Sequence, residues 1–265
     1  MTYPGFDPDR PADQPGGQYE AFPAQGGDQP PAGYGAEPLR FSASNAVSFG
    51  WQRFKGNPVP WVGVTALYGI LLGVVTGGTG GFDTDADSAG AMTLGAVLTW
   101  LLTTLFWNVF TQAALAEVAG ERPRLNRFTT LKNFGPFLIA SIVLGVLGVI
   151  AQPLVGSGSV LLTLLGVVLA IASLVVAFLL QWSYLFIIDR DLSAVDAMKA
   201  SMAVIRANLG PVLLLTITLA ALNVIGALLC GLGLLITIPV AVIASAWAYR
   251  VLTGDGTYHP VSPAH

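Results

Sequence analysis

Four long stretches without a charged side chain dominate the pattern of hydrophobic and polar positions in this chain. They cover residues 56–82, 88–116, 133–188 and 207–249. A helix that crosses a bilayer needs roughly 20 apolar residues, so each of the two longest stretches has room for a pair of crossings. The pattern therefore predicts an all-α integral membrane protein with six transmembrane helices.

Proline, glycine and short polar runs mark where one predicted crossing ends and the next begins. Pro60 and Pro136 suit the first turn of a helix. Gln152-Pro153 followed by Gly-Ser-Gly-Ser breaks the longest stretch, and Cys-Gly-Leu-Gly at 230–233 predicts a tight turn. Within a membrane domain of residues 41–254, we predict crossings at about 59–76, 91–118, 135–152, 160–188, 210–229 and 234–250.

All the basic residues fall on one side of these crossings. The segments before the first helix, between the second and third, between the fourth and fifth, and after the sixth hold all 12 lysines and arginines. The three opposite loops hold none. Because loops rich in Lys and Arg stay in the cytoplasm, we predict a multi-pass protein of the cell membrane with both termini cytoplasmic.

Three similar segments lead into the first, third and fifth crossings. Each combines a basic residue, an asparagine and a proline, and the asparagines are Asn57, Asn133 and Asn208. These segments predict three repeats, each an interfacial helix plus a pair of crossings. The alternative is convergence, because any cytoplasmic entry into a membrane helix favours a basic residue, a turn and a proline.

Two of the three segments have the periodicity of an amphipathic helix. Ser42 is placed as the N-cap of the first, and Ser193 and Asp196 have capping-box spacing in the other. The predicted apolar face of the first carries Ala43, Ala46, Val47, Gly50, Trp51 and Phe54. The predicted apolar face of the other carries Val195, Met198, Met202, Ile205 and Leu209.

The two ends of the chain differ in composition from the membrane domain. Residues 1–38 contain eight prolines and seven glycines, with aromatic residues between them. Such a segment cannot bury enough apolar surface to offset its ordering entropy. We therefore predict a disordered, proline- and glycine-rich cytoplasmic tail over residues 1–40, and a short cytoplasmic tail over residues 255–265.

The composition narrows the classes of chemistry. Hydrophobic residues make up 54% of the 265 residues and charged residues 10%, against about 25% charged in soluble domains. This excludes a soluble protein, a disulfide scaffold and a nucleic-acid binder. The single cysteine, Cys230, and the two histidines, His259 and His265, form no metal-ligand pattern. Glu117 is the sole carboxylate within a predicted crossing, at its end, so we expect neither an enzyme nor a cofactor.

A few uncharged polar residues fall inside the predicted crossings. They are Asn108, Gln112, Gln181 and Asn223, and Ser245 joins them on the last helix. Asn108 and Gln112 are four residues apart and share one helix face. Two interpretations stay open: the side chains form hydrogen bonds between packed helices, or they line a path for a polar headgroup or solute.

Several short runs resemble a known family. They are Ala-Glu-Val-Ala-Gly-Glu-Arg-Pro at 116–123, Ile-Ile-Asp-Arg-Asp-Leu-Ser-Ala at 187–194, Ala-Met-Lys-Ala-Ser-Met at 197–202, Asn-Leu-Gly-Pro at 208–211 and Ala-Tyr-Arg-Val-Leu-Thr-Gly at 248–254. Together they resemble the YciC-like integral membrane proteins, which are related to the membrane domain of some bacterial glycerophosphodiester phosphodiesterases. With its tail, the chain is similar to proline- and glycine-rich membrane proteins of actinobacteria.

The resemblance implies a six-helix protein of the cytoplasmic membrane and supplies no catalytic residues. Phosphodiesterase activity is not expected, because the chain lacks the acidic and histidine residues of that chemistry. The sequence favours a non-enzymatic membrane scaffold or accessory subunit that lies in the lipid bilayer and recruits a protein partner through its tail. The alternative is a passive or lipid-handling membrane transporter. Assembly of several copies stays open.

Overall fold

The computed structural model describes residues 41–78, 89–155 and 158–254. Over those ranges the chain forms nine α-helices and one 3-10 helix (Leu125–Thr129), and no β-strand. The tails predicted at residues 1–40 and 255–265 lie outside the described residues. The α-helices are α1 (Ala43–Gly56), α2 (Pro58–Gly78), α3 (Ala89–Val118), α4 (Phe134–Val155), α5 (Val160–Leu180), α6 (Ser183–Arg190), α7 (Ala194–Ala207), α8 (Leu209–Leu228) and α9 (Leu234–Leu252).

The long helices have the length and surface of membrane-spanning segments. Among the described residues, five helical segments are long and apolar enough to cross a bilayer: Pro58–Gly78, Leu94–Val118, Val160–Arg190, Leu209–Leu228 and Leu234–Leu252. Their outer surfaces carry large apolar side chains that are more than 70% exposed, including Val160, Leu161, Leu174 and Leu228. Apolar surface on this scale is typical of lipid-facing helices. The all-α class and the membrane-length helices agree with the sequence pattern.

The fourth predicted crossing is not one continuous helix. Helix α5 ends at Leu180, a turn covers Gln181 and Trp182, and α6 resumes at Ser183. The Ser201 hydroxyl of α7 accepts a hydrogen bond from the Trp182 backbone N–H at 3.2 Å and donates one to the Leu179 carbonyl at 2.9 Å. A side chain that enters the backbone ladder in this way is a common cause of a helix break.

Helix α9 lies at the centre of the described bundle and packs against α1, α2, α3 and α8. Its alanines allow neighbouring backbones to come close, as is usual where membrane helices pack. Gly50 of α1 shows how close: a Cβ atom built on Gly50 would lie 2.5 Å from the Val240 carbonyl oxygen. The buried residues of α9 are Thr237, Pro239, Val240, Ala241, Ile243, Ala244, Ala246, Trp247, Ala248 and Tyr249.

Helices α1 and α7 bury faces with the same residue spacing. The buried residues of α1 are Ala43, Ala46, Gly50 and Phe54. The buried residues of α7 are Ala194, Ala197, Ser201 and Ile205. In both helices, small residues three and then four positions apart are buried, and one large apolar side chain, Phe54 or Ile205, follows four positions later.

The predicted apolar faces are therefore correct for most of α1 and only in part for α7, where Ile205 is buried and Met198 packs against the core. In α1, Trp51 is 43% exposed and stacks on Phe54. In α7, Val195 is 57% exposed and Leu209, which begins α8, is 48% exposed. The sequence argument ranked residues by hydrophobicity, whereas close helix packing selects small side chains. Residues ahead of the third crossing form only the short 3-10 helix, so an interfacial helix is absent there.

The two predicted N-caps have different outcomes. Ser42 occupies the N-cap position of α1, but its hydroxyl lies 2.8 Å from the Ser44 hydroxyl and caps no backbone N–H. Ser193 is the N-cap of α7, and its hydroxyl accepts a hydrogen bond from the Asp196 backbone N–H at 3.2 Å. The capping-box spacing at 193–196 is thus confirmed as a cap.

Candidate functional site

Polar contacts concentrate at one end of the bundle, where α2, α4 and α8 begin and α3, α6 and α9 end. We call this the basic end, because the lysines and arginines of the described ranges lie there or on the adjoining α1 and α7. Glu117 is its most buried charged residue, at 1% exposure. The Glu117 carboxylate accepts hydrogen bonds from Trp61 Nε1 at 3.1 Å and Asn57 Nδ2 at 3.4 Å. Asn57 also donates to the Pro123 carbonyl at 2.9 Å.

A second asparagine, Asn133, makes the matching contacts between the start of α4 and the end of α6. Its amide donates to the Ile187 carbonyl at 2.9 Å and to Asp191 Oδ1 at 2.6 Å. Lys132 Nζ lies 3.0 Å from the same carboxylate oxygen and donates to the Ile188 carbonyl at 2.8 Å. Hydrogen bonds from Lys132 and then Asn133 lower the pKa of the exposed Asp191 carboxyl below its ordinary value of 3.8.

These contacts predict a small acid dependence of stability. A carboxyl whose pKa is lowered by folding stabilises the protein above its unfolded pKa, and the contribution disappears as the pH falls through its folded pKa. We expect Asp191→Asn to lower the melting temperature slightly near pH 7, and the difference from wild type to shrink as the pH falls below 3.8 towards the lowered folded pKa. Asparagine tolerates the left-handed backbone of residue 191, where φ is 54°. A difference that stays constant from pH 7 to pH 3 would contradict the prediction.

Asn108 and Gln112 hold the connection between α3 and α4. Both side chains are buried, and Gln112 Nε2 donates to Asn108 Oδ1 at 2.8 Å. Asn108 Nδ2 donates to the Lys132 carbonyl at 3.0 Å, and Gln112 Nε2 donates to the Thr130 carbonyl at 3.0 Å. Their amides therefore bind the backbone of the loop and one another, and not a neighbouring helix.

Gln181 differs from Asn108 and Gln112 because it borders a cavity. The cavity has a volume of about 270 Å³ and lies between α3, the α5–α6 break and α9. The Gln181 amide is paired with the Thr216 hydroxyl of α8, with contacts of 3.2 and 3.3 Å. The residues that line the cavity are Trp107, Thr111, Gln181, Tyr184, Leu185, Ala241, Val242 and Ser245.

The polar groups of this cavity are hydroxyls and one amide. Ser245 Oγ accepts a hydrogen bond from Trp182 Nε1 at 3.1 Å, and Thr111 Oγ1 donates to its own helix at the Trp107 carbonyl. The ring of Tyr184 stacks on Phe137 with centroids 4.2 Å apart, and its hydroxyl forms no hydrogen bond with any residue that the structure describes. No Asp, Glu, Lys or Arg lines the cavity.

The polar side chains of the cavity lie near the basic end of the bundle. Thr111, Tyr184 and Ser245 each precede the last charged residue of their helix by five or six positions. At 1.5 Å per residue this corresponds to about 8–9 Å along the helix axis.

Asn223 lies on α8, away from this cavity. Its side-chain oxygen, Oδ1, is buried and has no hydrogen-bond partner among the described residues. The four polar residues predicted to share a role are therefore distributed over three places: a loop anchor, a cavity wall and the middle of α8. Sequence reasoning missed Trp107, Thr111 and Tyr184 as cavity residues, because aromatic and threonine side chains are ordinary in membrane helices.

Comparison with known proteins finds relatives that are described only as uncharacterized proteins. Uncharacterized proteins of Mycobacterium tuberculosis (strains H37Rv and CDC 1551) and Mycobacterium bovis are each 27% identical to this chain over 263 aligned positions. The similarity covers 89% of this chain and 76% of each relative. No protein-family model matches the chain. No solved structure matches it either.

Proposed function

We propose that the chain is a six-crossing protein of the cell membrane built from three related units, with both termini in the cytoplasm. The positions of the basic residues support the orientation. The contacts of the entry segments support the three units: α1 packs on α9, the 3-10 helix on α3, and α7 on α5 and α6. Each entry segment thus packs on the last helix of another unit, in cyclic order. We also propose that the chain is related to the YciC-like membrane proteins that its sequence resembles.

Within this framework, we propose a non-enzymatic, lipid-handling role in which the cavity beside Gln181 binds an uncharged amphiphile. The carrying observation is Tyr184, which lines a largely apolar cavity and whose hydroxyl has no hydrogen-bond partner among the described residues. A half-buried hydroxyl gains from a hydrogen-bonding partner. A lipid whose head bears a free hydroxyl and no charge, such as a diacylglycerol, supplies both that partner and an acyl chain for Trp107 and Leu185.

Filling the cavity should remove this binding. We expect Val242→Phe to lower labelling by a photoreactive diacylglycerol analogue about tenfold, because a ring in the cavity displaces the ligand at a cost near 1.4 kcal/mol. The measurement is mass spectrometry of the labelled protein in mild detergent. The matched control is Ile217→Phe, because Ile217 lies on α8 and is 57% exposed. This variant should be labelled like the wild type. Equal labelling of all three proteins would contradict the proposal.

A second candidate function is the scaffold role, which the composition of residues 1–38 favours. Aromatic residues between prolines and glycines suit docking into grooves of a partner protein. Deletion of residues 1–38 is then expected to remove a stoichiometric partner from the purified complex while leaving diacylglycerol labelling unchanged. Affinity purification with quantitative mass spectrometry checks this. An unchanged set of bound proteins would rule the scaffold role out.

A further inference from the structure

A second apolar groove runs along α2 and α3 and reaches the basic end of the bundle. It has a volume of about 240 Å³. From Val64 to Leu71 it follows α2 for about 10 Å, at 1.5 Å per residue. Apart from Tyr68 and Thr129, its lining is entirely apolar: Val64, Leu67, Leu71, Leu102, Leu105, Phe106, Val109, Phe128 and Leu131.

The open side of this groove is the surface that would face lipid. Leu67, Leu71, Leu105 and Leu131 are between 37% and 55% exposed, while Phe106 and Phe128 form the buried floor. The Tyr68 hydroxyl lies 3.0 Å from the Thr103 hydroxyl, so this polar group is already satisfied within the protein. The groove therefore offers a slot for hydrocarbon and no polar group that needs a ligand along its length.

Positive charge is concentrated where the groove meets the basic end. Arg122, Arg124, Arg127 and Lys132 lie within eleven consecutive positions around the 3-10 helix that closes the groove. Glu121, directly before that segment, contacts Arg127 at 3.4 Å across an exposed pair, and Lys132 pairs with Asp191. An exposed pair of this kind is weak, so Arg127 can exchange its partner readily. Arg124 is exposed and has no ion pair with a described residue.

We propose that this groove binds an anionic phospholipid, with one acyl chain between α2 and α3 and the phosphate held by Arg124 and Arg127. Charge complementarity favours an anionic headgroup, because clustered arginines beside a membrane helix attract anionic lipids. Guanidinium groups also pair with phosphate through two hydrogen bonds at once. Size favours an acyl chain over a helix: the groove holds about 240 Å³ along about 10 Å of α2, which is too little for a helix about 10 Å across.

This site is distinct from the cavity beside Gln181. The cavity contains hydroxyls and an amide and no cation, whereas the groove is apolar along its length and cationic at its end. The two sites use opposite faces of α3, since Trp107 and Thr111 line the cavity while Leu102, Leu105 and Val109 line the groove. The inference therefore goes beyond the proposed binding of an uncharged amphiphile and can fail without it.

The first test removes the charges. Wild-type protein in nanodiscs of phosphatidylglycerol and phosphatidylcholine is transferred to native mass spectrometry, and phosphatidylglycerol is expected to be retained preferentially. In the double variant Arg124→Gln, Arg127→Gln, the preference for phosphatidylglycerol over phosphatidylcholine should be about tenfold lower. The control is Lys199→Gln, Arg206→Gln, which removes two exposed cations from α7. Equal losses in both variants would show general surface attraction, and no loss in either would show that the arginines bind no headgroup; both overturn the proposal.

The second test blocks the slot with the charges intact. Leu105→Trp fills the groove, and Leu213→Trp adds the same ring to the lipid-facing surface of α8, where Leu213 is 47% exposed. Only Leu105→Trp should lose bound phosphatidylglycerol, and both should keep wild-type circular dichroism and diacylglycerol labelling. Retained phosphatidylglycerol in Leu105→Trp would exclude the acyl chain from the groove. If Leu105→Trp lost diacylglycerol labelling as well as phosphatidylglycerol, the result would count against the cavity and not against this site.

Discussion

Replacement of Gly50 by leucine should destabilise the bundle by about 3 kcal/mol, because the side chain has no space to occupy. A Cβ atom at residue 50 would lie 2.5 Å from the Val240 carbonyl oxygen and 3.2 Å from Ala244 Cβ, so the obstacle is mostly the backbone of α9. Helix α1 would have to move away from α9. That movement would also separate Phe41 and Phe49 from Trp247, with which both rings stack.

The measurement is thermal unfolding in mild detergent, followed by tryptophan fluorescence. Gly63→Leu is the matched control, because Gly63 lies within α2 and a Cβ atom there meets no atom within 4 Å. That variant should melt at or above the wild-type temperature, since leucine also has the higher helix propensity. A similar loss in both variants would mean that leucine is costly anywhere in these helices and that the α1–α9 contact has no special weight.

The second large effect is expected at Glu117. Glu117→Leu should cost about 3 kcal/mol, because it leaves the N–H donors of Trp61 and Asn57 without their acceptor in a buried place. It also removes a carboxylate that interacts electrostatically with the guanidinium groups of Arg53 and Arg122. Glu117→Gln keeps an acceptor oxygen and should lose about half as much.

A double-mutant cycle with Trp61→Phe isolates the hydrogen bond. Phenylalanine keeps an aromatic ring against Phe110 and Phe128 but has no N–H. The coupling energy between Glu117→Leu and Trp61→Phe should be about 1.5–3 kcal/mol, as for hydrogen bonds to charged groups. Glu121→Gln is the control on an exposed pair and should change stability by less than about 1 kcal/mol. Additive effects at Glu117 and Trp61 would contradict the inferred contact.

Much of the helical architecture could be predicted from the positions of charged residues and of helix-breaking residues alone. Uncharged stretches bounded by Pro60 and the turn at 230–233 correspond to helices of membrane length, and within that turn Cys230 and Gly231 adopt the left-handed backbone, with φ at 54° and 75°. These signals are local, because the cost of burying charge in a bilayer and the missing N–H of proline act at single positions. The three-unit arrangement and the third crossing, at α4, stay predictions.

The packing could not be predicted, because it depends on which side chains meet across the bundle. The break after Leu180 needs the Ser201 hydroxyl, which comes from another helix. The cavity exists because α3, α6 and α9 separate around Trp107 and Tyr184, two residues that a single sequence does not mark. Hydropathy ranked Val195 as buried on α7, whereas the close approach of two backbones required alanine at positions 194 and 197.

The contact between α1 and α9 has a consequence for the order of synthesis. Helix α1 leaves the ribosome early, but its partner does not begin until Leu234, so roughly ten seconds or more of translation separate them. During that interval the face of Ala46, Gly50 and Phe54 has no protein to cover it. An amphipathic helix with Trp51 and Lys55 at its edge can bind the membrane surface during that interval. The contact between α1 and α9 therefore forms only after the helices between them have been synthesised.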